Sequence, residues 1–226
     1  MPQQNAERVA CTPLPLDPAG FNPNAVIPFG CTVKHIRAAM QEFIDFIGFI
    51  NNQMNTRQLT RLETMLIPAN FSSIVGEFMG STIPKHCKGL VKNRYHNGHP
   101  DLIPANCFDD DMCQHGKEGI EIKGSRYLKA WQGHNPEDTW LMVFVFDSNR
   151  PVDEGKGVGL KPFSFRMVVG AELKKEDWLF AGRSATSRRT ITASITRSGL
   201  QKMTANWIYK DAALRAGAPI PVDGAE

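Results

Sequence analysis

The sequence predicts an α/β (α+β) fold in which helices come first and a mixed central sheet follows. From Val33 the apolar residues Ile36, Met40, Phe43, Ile44, Ile47 and Ile50 recur at three- and four-residue steps, as the core face of a long helix requires. Trp140 to Phe146 is a continuous apolar run of the kind a central strand shows when both its faces are covered, and Phe163 to Val169 alternates. Helices followed by strands point to one layered α/β domain.

Along the chain, Met1 to Pro28 holds many prolines and no periodic apolar pattern, so residues 1–30 are expected to form an extended arm on the body or on a partner subunit. Helix one runs from about Val33 to Ile50. A second helix is expected from about Thr56 to Leu66, ending before Pro68 because the residue preceding a proline is pushed out of the helical region. A third, shorter helix spans Phe71 to Met79. Gly98 and Pro100 interrupt the next segment, where a strand near Asp101 leads into an acidic loop of Asp109, Asp110 and Asp111. Gly119 to Gly124 reads as a strand. Leu200, Met203 and Trp207 mark one face of a closing helix, and residues 212–226 read as a loose tail.

With 42% hydrophobic and 22% charged residues, the 226-residue chain has the balance of a globular protein and is expected to form a single domain over residues 31–211. A formal charge of +3 is compatible with a nucleic-acid partner. The most apolar helix is interrupted by Arg37, Glu42 and Asp45, short of the roughly 18 uninterrupted apolar residues of a membrane span. The N-terminus lacks the basic start and apolar run of a secretion signal. Five cysteines without a repeated spacing form no disulfide framework, so a cytoplasmic location and no membrane partner are expected.

The chemistry is concentrated in Gly119-Ile120-Glu121-Ile122-Lys123-Gly124. The period of two in a strand puts Glu121 and Lys123 on one face while Ile120 and Ile122 point into the opposite, apolar layer. The Ile122 carbonyl is a further hard oxygen, and Asp101, after Pro100, can bring a second carboxylate from the neighbouring strand. Asp101, Glu121 and Ile122 together make a Mg²⁺ site, which Mn²⁺ would also fill, and hydrolysing a phosphodiester needs such a cation plus a group that orients or deprotonates water. The Asp109 to Asp111 run is the nearest rival for the role of Asp101.

Pro100-Asp101 followed by Glu121-Ile122-Lys123 at a strand end resembles the PD-(D/E)xK motif of restriction-endonuclease-like nucleases. The resemblance covers roughly residues 71–147 and implies a restriction-endonuclease-like core, a mixed sheet flanked by helices. It implies that Asp101 and Glu121 bind metal and that Lys123, its pKa lowered beside the ion, activates water or contacts the transition state. It also implies an acidic residue from the helix before the PD strand, for which Glu77 is the candidate and Glu63 a weaker one. The activity expected is that of a type II restriction endonuclease, cutting double-stranded DNA with Mg²⁺ to leave 5′-phosphates, as a homodimer with helix one and the arm as contact surfaces. A repair or recombination nuclease shares the same motif.

DNA contacts are expected at two places. Ser125, Arg126, Lys129 and Gln132 follow the motif in a basic, hydroxylated run, with His134 in the next turn. Residues 178–210 contain no acidic side chain but carry Arg183, Arg188, Arg189 and Arg197 among many Ser and Thr, a candidate DNA-reading segment. A non-catalytic DNA-binding protein using residues 181–210 is the alternative from a different class. His86, Cys87, His96, His99, Cys107, Cys113 and His115 crowd one stretch, yet no C-x₂-C or H-x₃-H pair occurs among them. They read as apolar fillers and loop residues, with a structural zinc as the alternative.

Overall fold

A computed structural model describes residues 2–133, 135–180 and 193–217. The apolar stripe after Val33 forms the helix Val33–Thr56 (α2; α1 is Pro2–Ala10), whose buried face carries Ile36, Met40, Phe43, Ile44 and Ile47. After α2 the chain turns, with Gln58 at a φ of 59°, and the expected second helix shrinks to Leu62–Met65 (α3). Pro68 does not end that helix. It opens Pro68–His86 (α4) at its first position, where an amide proton would have no helical partner anyway. α4 therefore extends beyond the expected Phe71 to Met79 at both ends.

The strands are Leu90–Lys92 (β1), Leu102–Pro104 (β2), Ile120–Ser125 (β3), Gln132–Gly133 (β4), Thr139–Asp147 (β5), Ser164–Leu173 (β6), Trp178–Phe180 (β7), Ala193–Ile195 (β8) and Trp207–Lys210 (β9). The main sheet has the order β1-β2-β3-β5-β6-β9, and β4-β8-β7 form a small second sheet. Only the β3–β5 pairing in the main sheet is parallel, so that sheet is mixed. Trp207, expected on the closing helix, begins β9 instead, because that helix, Arg197–Ala205 (α5), ends at Asn206. A last short helix, Ala212–Arg215 (α6), precedes the end of the described residues.

The N-terminal segment is more structured than its prolines suggest, since α1 is helical. Beyond it the chain lies along the outer strand β9, where Asn22 bonds the carbonyls of Trp207 and Ile208 and the Asp17 amide donates to the Tyr209 hydroxyl. Those contacts cover an edge that would otherwise offer unpaired backbone groups.

Each face of the sheet has its own core. On one side α2 and α4 cover Ile120, Ile122, Met142, Phe144, Phe146 and Phe165, together with Phe43, Phe71 and Phe163. Ring centroids there lie 5.1 to 6.3 Å apart, and each such contact adds about 0.5–1.5 kcal/mol beyond area burial. On the other side the small sheet and α5 cover Leu141, Val143, Val145, Met167, Val169 and Leu173 through Trp131, Trp178 and Met203. Among the described residues no helix is long and apolar enough to cross a membrane.

Candidate active site

β3 alternates as the sequence predicts, so Ile120 and Ile122 enter the helix-side core while Glu121 and Lys123 face the side of the small sheet. Lys123 Nζ donates to Glu121 Oε1 at 2.6 Å. Asp101 stands just before β2, which pairs with β3 only at Leu102 and Ile120. Past that pair the amide of Ile122 has no strand partner, and it donates to Asp101 Oδ2 at 2.7 Å. The stub strand β2 is therefore what gives the carboxylate its place.

Two glycines permit this closeness. Gly119 has a φ of 147°, and a Cβ there would lie 2.2 Å from the Leu102 carbonyl and 2.4 Å from the Pro100 ring. At Gly124 a Cβ would lie 2.3 Å from the Ser72 carbonyl, so α4 packs directly on the end of β3. The loop carrying His99 and Asp101 is knitted by the buried Asn93, whose side chain donates to the carbonyls of Pro100 and Cys113 and accepts from the amides of Tyr95 and Cys113.

Two further residues complete the cluster. His99 Nδ1 lies 3.0 Å from Glu121 Oε2, and its Nε2 lies 3.0 Å from Glu137 Oε2. The second contact has the distance of an ion pair without the alignment of a hydrogen bond, so among the described residues Nε2 is buried with no hydrogen-bond partner. Glu137 is held by its own backbone, since its carbonyl accepts the Trp178 indole N–H and the neighbouring Asp138 accepts the Lys175 amide. Sequence reasoning missed Glu137 because the signal is topological. Parallel strands begin at the same end of a sheet, so the loop entering β5 arrives beside the start of β3.

Three carboxylates and two cations share this space, and the balance is uneven. Burial and the neighbouring Glu121 push Asp101 up to about 7, against the pull of the Ile122 amide and Lys123. Burial pushes Glu121 up too, but His99 and Lys123 outweigh it and bring Glu121 down to about 2. The same contacts overcome burial at Lys123 and His99 and raise both. The lowered Lys123 pKa expected from the sequence is therefore not a property of the protein groups alone. The pair Asp101 and Glu121 holds one charge and one proton near neutrality, as adjacent buried carboxylates do. Both carboxylates are hard oxygen groups, with Asp101 bonded to the Ile122 amide and Glu121 to Lys123.

The remaining predicted residues fall in several places. Gly76 brings α4 to the Ile122 carbonyl, 3.8 Å from where a Cβ would stand. Its neighbour Glu77 is 70% exposed and held by Lys92 at 2.8 Å, outside the Asp101–Glu121–Lys123 network. Glu63 is fully buried and bonded to Arg61 and Asn51. Asp109 to Asp111 form a short 3-10 turn with Asp109 and Asp110 exposed, rather than replacing Asp101. The Ser125 hydroxyl is engaged with the Tyr127 backbone.

Arg126 turns inward. It donates to the carbonyls of Ser148 and Asn149 and lies over the rings of Phe71 and Phe146, and burial lowers its pKa. Lys129, Gln132 and Arg197 are exposed. His134, Arg183, Arg188 and Arg189 lie outside the described residues.

Beside the cluster an open depression of about 290 Å³ is lined by His99, His115, Lys117, Glu137, Asp138 and Lys175, which sets two lysines next to the carboxylates. The Cys/His group suspected from the sequence does not converge. His86 pairs with Glu42, His96, Cys107 and His115 are exposed, and Cys113 is buried elsewhere, while Cys87 meets two residues from outside the group, Cys31 and His35. Comparison with protein-family models, curated proteins and solved structures gives no match for this chain.

Proposed function

We propose that this chain is a Mg²⁺-dependent endonuclease of the PD-(D/E)xK kind, acting on double-stranded DNA as a type II restriction enzyme and leaving 5′-phosphates. The observation that carries the reading is the cluster itself: Asp101 bonded to the Ile122 amide, and Glu121 bonded to Lys123, at the junction of β2 and β3. A surface strand would leave these groups solvated and apart. Here they are concentrated and partly desolvated, which supports a site over a solvated strand face.

Asp101, Glu121 and the Ile122 carbonyl would hold the ion, which supplies charge neutralisation at the scissile phosphate. Lys123 positions the attacking water or the phosphate oxygen from the same strand face. His99 holds Glu121 from the other side and so fixes its carboxylate for ligation. Hydrolysis adds water across the phosphorus–oxygen bond; the bond to the 3′ oxygen breaks, the 3′ oxygen takes a proton, and the phosphate stays on the 5′ side. Lys117 and Lys175 are placed to carry the approaching backbone.

The test is incubation of plasmid and phage DNA with the purified protein and Mg²⁺ or Mn²⁺, followed by run-off sequencing of fragments. Discrete cuts are expected, and Asp101→Ala or Lys123→Ala should lower cleavage by about 10³-fold or more while DNA binding persists. A wild-type protein that binds DNA but never cuts it with either ion refutes the reading and leaves a DNA-binding protein. A homodimer is part of the proposal and is read by light scattering of the DNA-bound protein.

A further inference from the structure

Outside the carboxylate cluster, three softer ligands meet where α2 begins and α4 ends. Cys31 precedes the α2 N-cap Thr32, His35 lies in the first turn of α2, and Cys87 caps α4. Their ligand atoms all lie within 4.8 Å of one another. Both cysteines are free thiols, Cys31 5% and Cys87 1% exposed, with His35 partly buried beside them. We propose that Cys31, His35 and Cys87 bind one zinc-like divalent ion that ties the start of α2 to the end of α4.

The donor set is the first argument. Two thiolates and an imidazole suit Zn²⁺ and its transition-metal neighbours and disfavour Mg²⁺ or Ca²⁺, so this site and the carboxylate cluster would select different ions. The spacing is the second. Zinc bonds of about 2.3 Å to sulfur and about 2.0 Å to nitrogen place tetrahedral ligands about 3.5–3.8 Å apart, and the three ligand atoms here already lie within 4.8 Å of one another. The third is the chain path. Phe29 and Gly30 both take left-handed backbone, at φ 59° and 68°, to deliver Cys31 to the helix start, a conformation that a bulky residue adopts only when its surroundings hold it there.

His35 Nδ1 accepts the Thr32 amide at 3.2 Å, a long bond that an incoming ion can displace. Binding forms two metal–sulfur bonds, releases both thiol protons to solvent, takes the lone pair of neutral His35, and leaves the fourth position to water. The sequence carries half of the signal, because Cys31-x₃-His35 brings a cysteine just before the α2 N-cap close to a histidine in its first turn. The other half is contributed by Cys87, whose approach depends on how α4 packs against α2.

The experiment uses the full-length protein, stripped with a chelator and titrated with Co²⁺ as a spectroscopic stand-in, then with Zn²⁺. The expected result is a thiolate-to-cobalt charge-transfer band that saturates at one ion per chain and is bleached by an equivalent of Zn²⁺. Cys107→Ser, which removes an exposed thiol, should keep the band. The double variant Cys31→Ser/Cys87→Ser should lose it, and His35→Ala should weaken Co²⁺ binding by about tenfold or more. Because His35 is only partly buried, that variant keeps the test decisive even if the double variant does not fold. Absence of the band in the wild type overturns the proposal. So does a band that survives His35→Ala at full affinity, or a thiol titration showing Cys31 and Cys87 joined as a disulfide in fresh protein.

Discussion

Two of the charged networks among the described residues differ in whether their charges are satisfied. The first centres on Arg61, which is 1% exposed. Its guanidinium donates to Glu7, to Glu63, to the Lys161 carbonyl and to Asn149, at 2.8 to 3.0 Å. Glu63 in turn accepts from Asn51. The second is the cluster of His99, Asp101, Glu121, Lys123 and Glu137, where Asp101 holds a proton up to about 7 and His99 Nε2 is buried without a hydrogen bond among the described residues. A complete network joins elements, here α1, α2, α3 and the segment after β5. Under the proposed function, the incomplete one is where the ligand would enter. This is why Glu63, a carboxylate on a helix before Asp101, belongs to the scaffold although its place in the sequence gave it a claim to the site.

The sharpest way to break this comparison is to remove Arg61. Arg61→Ala leaves the Glu63 carboxylate buried with Asn51 but without its cation, a change expected to cost about 3–5 kcal/mol of unfolding free energy. Denaturant titration measures it. DNA cleavage per folded molecule, assayed at low temperature, should stay at the wild-type level. A loss below about 1 kcal/mol would mean that the network is not structural and that the contrast fails.

Asp101 should behave in the opposite way. Its folded pKa of about 7 lies above the ordinary 3.8, so the native state holds a proton that the unfolded chain gives up. The group's stabilising contribution is therefore present below about pH 4 and lost as pH rises to about 7. His99, raised above 6.5, adds a fall of the same sign at higher pH, while Glu121, lowered from 4.5 to about 2, loses its contribution only in acid. Stability in a chelator is thus expected to decline between about pH 5 and 8. Asp101→Asn should flatten that decline and raise stability at pH 8 by on the order of 1–3 kcal/mol, even as it removes cleavage. Mg²⁺ should raise the wild-type melting temperature and leave that of Asp101→Asn unmoved. Equal responses of the two proteins to Mg²⁺ would take Asp101 out of the metal site.

How much of this was legible depends on how local each signal is. The period of two in a strand placed Glu121 and Lys123 together, and the same alternation, carried one step further, puts Arg126 on the face of Ile120 and Ile122, where it packs on Phe71 and Phe146. Its basic character suggested DNA; its position in the alternation says core. Pro68 is ambiguous in sequence because proline both ends one helix and begins another, and here the second role prevails. Trp207 matched a helical step from Met203, but Asn206 ends the helix and the tryptophan pairs in the sheet. Glu137, and the meeting of Cys87 with Cys31 and His35, were out of reach for a different reason. Each is set by which elements pack together, β5 beside β3 and α4 against α2, and no spacing along the chain encodes that.

Glu77 is the smallest test and bears on the boundary between the two kinds of network. The resemblance to PD-(D/E)xK nucleases implies a helix carboxylate at the site, and Gly76 does bring α4 against the Ile122 carbonyl. Yet the Glu77 carboxylate is 70% exposed and paired with the exposed Lys92, an arrangement that contributes about 0–1 kcal/mol. Glu77→Ala is accordingly expected to change unfolding free energy by less than about 0.5 kcal/mol and cleavage by no more than about threefold. Lys92→Ala serves as the control, since it frees Glu77 without removing it. A drop of about 10²-fold or more in Glu77→Ala alone, with Lys92→Ala unaffected, would show that the helix supplies a ligand when DNA and metal are bound, and the cluster would then extend across α4.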